Sequence, residues 1–109
     1  MALAESGSTF PLFRVEYGDG RTFVFLSGEH DFSTAQALRH FLAEAIATND
    51  VDLVVDLSEV EFMSATTVSV LVRARAFLQQ HSRTLTVRAS SSQARHVLEL
   101  CDLLDLIDD

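Results

Sequence analysis

The chain has 109 residues, 48 % of them apolar and 22 % charged, which suits one hydrophobic core and is too apolar for a disordered segment. Sixteen acidic residues oppose eight basic ones, all arginine, and the net charge of −8 argues against general binding to nucleic-acid phosphates or to an anionic membrane surface. With a single cysteine, Cys101, the chain can form no internal disulfide and has no cysteine set for structural zinc, which fits a reducing compartment.

Met1 to Thr9 is small and polar, with Glu5 as its only charge. It has neither the basic segment nor the apolar run of a secretory signal, so it reads as a frayed tail of a cytoplasmic protein. No apolar stretch approaches the roughly 20 residues that span a bilayer.

Leu12 to Tyr17 alternates Phe13, Val15 and Tyr17 with Arg14 and Glu16, the period of a half-exposed strand. Gly18-Asp19-Gly20 supplies a tight turn, and Thr22 to Ser27 returns as the second strand of an antiparallel hairpin. Gly28 to Phe32 reads as a loop, and Ser33 with Gln36 as a capping box opening a helix from about Thr34 to Ala47. Leu38, Phe41, Leu42, Ala45 and Ile46 form its apolar stripe.

Val51 to Leu57 is a short valine-rich run, read as a central parallel strand, with Ser58 to Met63 as a connection. A second helix begins near Ser64 and ends near Gln80. Thr84 to Ala89 alternates again as a strand. Ser90 to Gln93 offers another capping box for a last helix carrying Ala94, Val97, Leu98 and Cys101 on one stripe. The order β-β-α-β-α-β-α predicts a single α/β domain, with an approximately four-stranded mixed sheet and helices mainly on one face.

Little catalytic chemistry is visible. His30, His40, His81 and His96 have no metal-ligand spacing, and no metal or other cofactor is expected. There is no Gly-x-Ser-x-Gly elbow and no glycine-rich phosphate cradle; Cys101, on an apolar stripe, reads as inert core. Asp56 closes a strand as a phosphoaccepting aspartate would, but the chain has no lysine to read an acyl phosphate. The simpler role for Asp56 is to order the following residues by hydrogen bonding to their backbone. The start of the second helix, Ser64-Ala65-Thr66-Thr67, is a polar run where free N–H groups favour an acceptor or an anion, or where Ser64 simply caps the helix.

Three stretches in order resemble the STAS domain of anti-sigma factor antagonists: Leu26-Ser27-Gly28-Glu29-His30-Asp31-Phe32, then Val54 to Met63, then Leu85 to Arg88 followed by Val97 to Leu103. The resemblance runs from about Phe13 to Ile107. It implies a cytoplasmic regulator without catalytic activity that binds an anti-sigma factor, often a serine kinase, and is switched off when that kinase phosphorylates a serine in an Asp-Ser-[Ser/Thr]-Gly loop. The expected docking residues are Gly28, Glu29, His30, Asp31 and Ser33 in one loop and Phe62, Met63, Ser64, Ala65, Thr66 and Thr67 in the other.

The sequence departs from that pattern where the switch belongs. Aligning Phe62-Met63 with the family's Phe-Ile puts Ser64 at the aspartate, Ala65 at the phosphoacceptor, Thr66 at the following hydroxyl residue and Thr67 at the glycine. Alanine cannot be phosphorylated. Loss of the switch is therefore the favoured expectation, because a one-residue shift turns a helical side chain by about 100°. Phosphorylation at Thr66 or Ser64, or a small-ligand or anion sensor, are the alternatives.

Overall fold

The computed structural model describes residues 12–89 and 91–108; the expected N-terminal tail, Met1 to Thr9, lies outside them. Strand β1, Phe13–Tyr17, turns at Gly18, whose N–H donates to the Arg21 carbonyl at 3.0 Å, and pairs antiparallel with β2, Arg21–His30. After a 3-10 turn at Phe32–Thr34 come α1 (Ala35–Thr48), β3 (Asp52–Met63), α2 (Ala65–Gln79), β4 (Leu85–Arg88) and α3 (Ser92–Leu100). The sheet order is β1-β2-β3-β4, with β2, β3 and β4 mutually parallel. This is the mixed four-stranded α/β architecture that the alternation of elements predicts.

One apolar cluster unites the sheet and the helices. Val24 and Leu26 of β2, Leu53, Val55 and Leu57 of β3, and Val87 of β4 bury against Leu38 and Leu42 of α1, Leu71 of α2 and Leu98 of α3. Burying each leucine contributes about 1.5–3 kcal/mol relative to leaving it exposed. The opposite sheet face is covered by arginine–aromatic stacking: Arg14 lies 4.1 Å from the centre of the Phe25 ring and Arg88 lies 5.3 Å from that of Phe23.

β2 and β3 are longer than the sequence pattern predicts. The expected loop Gly28 to His30 is strand, and so is the expected connection Ser58 to Met63. The reason is two register shifts. Phe25 pairs with Asp56 but Ser27 with Glu59, and Gly28 pairs with Val60 but Glu29 with Phe62. Each shift inserts an extra residue into β3 and reverses which face the next residue points to. The first shift turns Val60 into the core although strict alternation from Leu57 would face it the other way, and the second restores the phase in which Met63 is buried. Asp56 supports the first shift: its Oδ1 accepts from the Ser58 N–H at 2.9 Å and from the Ser58 hydroxyl at 2.6 Å. Gly28, with φ of +79°, occupies the second, and a Cβ there would lie 3.1 Å from the Leu12 side chain.

Capping also differs from the sequence reading. Asp31, not Ser33, is the N-cap, and it caps the 3-10 turn before α1; Thr34, rather than Gln36, completes the capping box. An aspartate oxygen at this point reaches the Ser33 N–H while the Thr34 hydroxyl accepts from the Asp31 N–H at 3.1 Å. Ser91 caps α3 by accepting from the Ala94 N–H at 3.2 Å; Ser90 of the expected serine run lies outside the described residues. Cys101 is half-buried at the end of α3, packed against the core but less enclosed than its apolar stripe suggests.

Candidate functional site

Parallel pairing of β2 with β3 brings the two predicted docking segments together. His30 ends β2 opposite Met63, which ends β3. Beyond this pair the ladder continues into α2: the Ser64 N–H donates to the His30 carbonyl at 2.9 Å, and the Thr67 hydroxyl donates to the same oxygen at 3.1 Å. Ser64 caps α2, its hydroxyl oxygen accepting from the Thr67 N–H at 3.3 Å. The start of α2 is thus fixed to the end of β2 by two hydrogen bonds on one carbonyl.

His30 lies beneath this junction. It is fully buried, its Nε2 is 2.9 Å from the Ser27 carbonyl, and its Nδ1 has no hydrogen-bond partner among the described residues. Phe13 packs against the ring, with centroids 5.6 Å apart. Burial lowers the proton affinity of the imidazole, opposed by the Ser27 carbonyl and the Asp31 charge. The adjacent Asp31 is exposed, as expected for neighbours on an extended chain. Its carboxyl is held below the usual aspartate value, first by the Ser33 hydroxyl and also by the Ser33 and Thr34 backbone.

The candidate residues fall into two groups. His30, Met63 and Thr67 are buried and present no side chain to a partner; they position the others. Glu29, Asp31, Ser33, Phe62 and Ala65 are exposed, with Gly28, Ser64 and Thr66 half-buried. Ser33, Ala65 and Thr66 line one cleft together with Phe32, which is 79 % exposed. Phe32 falls inside the expected docking loop, Gly28 to Ser33, but is not one of the residues named there. The signal was an aromatic side chain between capping residues, off the stripe of α1.

Ala65 is the first residue of α2, and its exposed methyl group stands where the resemblance puts the phosphoacceptor. Among the described residues, no group of three histidine, cysteine, aspartate or glutamate side chains could hold a metal ion. Among them, too, no helix is long and apolar enough to cross a membrane.

A mixed sheet whose parallel strand ends carry a capped turn and a capped helix, side by side and tied by one carbonyl, defines a STAS-type domain. The chain belongs to the STAS family: the family model described as "Mlab, STAS domain" matches residues 13–108. A solved anti-sigma factor antagonist from Mycobacterium paratuberculosis is 30 % identical, with a TM-score of 0.77, covering 87 % of this chain and 80 % of that one. The antagonist SpoIIAA shares the fold at 20 % identity, unphosphorylated with a TM-score of 0.77 over 89 % of this chain and 86 % of that one. The phosphorylated form of SpoIIAA from Bacillus, also 20 % identical, gives 0.69 over 89 % of each chain. No match to a curated protein was found.

Proposed function

We propose that the domain is a cytoplasmic, non-catalytic regulator that docks an anti-sigma factor or a related kinase-like protein through the junction where β2 and β3 end, and that it does so without a phosphoserine switch. The observation that carries this reading is the shared His30 carbonyl. By holding Ser64 and Thr67, it sets the start of α2 beside the Asp31 turn, so that exposed groups from two distant sequence segments form one surface. Phe32 and Phe62 offer apolar area, and Glu29 and Asp31 supply charge that would steer a basic partner. The likeness to an antagonist at 30 % identity supports the partner class. The methyl group of Ala65 supports the missing switch.

Incubating the chain with ATP and an anti-sigma kinase, followed by intact-mass measurement, tests this. The unaltered chain should gain no phosphoryl group, whereas Ala65→Ser should gain one. Ala65→Asp should weaken capture of the partner, and undiminished capture would place the interface elsewhere. One observation favours Thr66 over Ser64 as a substitute acceptor: the Thr66 hydroxyl has no hydrogen bond among the described residues, whereas that of Ser64 is engaged as a cap. A phosphoryl group mapped to Thr66 in the unaltered chain would overturn the switchless reading.

A further inference from the structure

We propose that the groove between α1 and α2 docks an amphipathic helix whose apolar face is bordered by acidic side chains. The groove has a volume of about 1100 Å³ and runs the length of α2, from Phe32 and Ala65 at its start to Phe77 and His81 at its end. Ala65 to Phe77 corresponds to a rise of about 18 Å, or three turns and more of a helix. Leu42, Ile46 and Val70 form apolar lining. The groove is open because small residues stand where larger ones would fill it: Ala43 and Ala47 on α1, Ser69 and Ala74 on α2. At its two ends, Phe32 and Phe77 are 79 % and 48 % exposed.

The charge around the groove is opposite to that of the molecule. Sixteen acidic residues outnumber eight basic ones and give the chain its net charge of −8, yet among the described residues no acidic side chain lines this cleft. Arg39, Arg73 and Arg83 do. Among the described residues, Arg39 and Arg73 take part in no ion pair. Arg83 donates to the carbonyls of Val51 and Ile46, which leave its charge unneutralised. An apolar floor under arginine-bearing walls matches a helix with apolar anchors at i, i+4 and i+7 and carboxylates beside them. The cleft is elongated, its lining following α2 from Ala65 to Phe77, a shape that suits a helix better than a compact small molecule.

This inference rests in part on the proposed docking function, since Phe32 and Ala65 belong to both surfaces; the Arg73 and Phe77 end belongs to the groove alone. The test titrates the full chain with two synthetic helical peptides of about 14 residues, four turns. Both carry leucine at i, i+4, i+7 and i+11, one flanked by glutamate and the other by lysine. The glutamate peptide should shift the backbone amide resonances of Leu42, Val70 and Ala74 and bind about five- to tenfold more tightly than the lysine peptide. The double variant Arg39→Glu/Arg73→Glu, altered only at exposed positions, should reverse that preference. Equal binding of the two peptides, no binding of either, or an unchanged preference in the double variant overturns the inference. So does dodecanoate if it occupies the groove and excludes the peptide, since the site would then be one for acyl chains. A chain that binds the glutamate peptide but captures no anti-sigma partner keeps this inference and refutes the docking function. Partner capture that survives Arg39→Glu/Arg73→Glu and Phe77→Ser, in a chain that ignores the peptide, does the reverse.

Discussion

The Thr67 hydroxyl donates to the His30 carbonyl at 3.1 Å, and neither residue is exposed to solvent. Thirty-seven positions separate the two in sequence, so this bond joins α2 to β2 rather than closing a local turn. Thr67→Val preserves the shape and removes the hydroxyl. The carbonyl keeps its bond from the Ser64 N–H, so the loss should be about 1–2 kcal/mol in urea unfolding, with an unchanged m-value. A neutral result would show that the Ser64 bond alone holds the junction.

His30 makes stability depend on pH. Its folded-state affinity for protons is lowered by burial from an ordinary value of 6.5. Between the unfolded and folded values the unfolded chain binds more protons, so stability falls with falling pH, starting as pH drops through about 6.5. The urea midpoint should therefore decline between pH 7.5 and 5.5, and His30→Phe should flatten that decline. Parallel curves for the two proteins would assign the dependence to other groups. Asp31 acts in a different window: its value is depressed, so its contribution is present above about 3.8 and is lost only as pH falls below that.

Asp56 tests structure against chemistry. Its carboxylate accepts both the Ser58 N–H and the Ser58 hydroxyl at the first register shift of β3. Asp56→Ala should destabilise the fold by about 1–3 kcal/mol, because the Ser58 N–H and hydroxyl both lose a charged acceptor. Asp56→Asn, which retains an acceptor oxygen, should lose less. If both variants unfold at the same denaturant concentration as the parent while partner capture fails, Asp56 belongs to the interface instead.

Leu106 anchors the C-terminal segment over the exposed edge of β4. It is 2 % exposed, and beside it Ile107 bridges to Val87 while the Asp108 N–H donates to the Val87 carbonyl at 2.8 Å. A strand edge left open invites pairing with another chain. Leu106→Ala should cost about 2–4 kcal/mol and increase self-association at high concentration. Sedimentation together with thermal unfolding would measure both; a variant as stable and as dispersed as the parent would show that this segment protects nothing.

Most elements were legible because their signals are local. The stripe Leu38, Phe41, Leu42, Ala45, Ile46 specifies α1, and Ser64 before a valine-rich run marks the start of α2. A glycine turn flanked by alternating residues identifies the β1–β2 hairpin. The second half of β3 was not legible. A strand is recognised by its period of two, and the two inserted residues break that period at Ser58 and Glu61. The Asp31 cap was missed for a related reason: Asp31, Ser33 and Thr34 are all competent caps, and only the path from His30 into the turn chooses among them.

The site divides along the same line. Composition, order of elements and three stretches in order, Leu26 to Phe32, Val54 to Met63, and Leu85 to Arg88 with Val97 to Leu103, pointed to the family, and the methyl group at Ala65 is a fact of sequence alone. Which candidates face outward was decided by packing: His30, Met63 and Thr67 turn inward because strand register and the shared carbonyl leave them no other direction. The arginine-walled groove belongs wholly to the tertiary structure. Arg39 and Arg73 are far apart in the chain, and only the side-by-side packing of α1 and α2 creates a space that both can border.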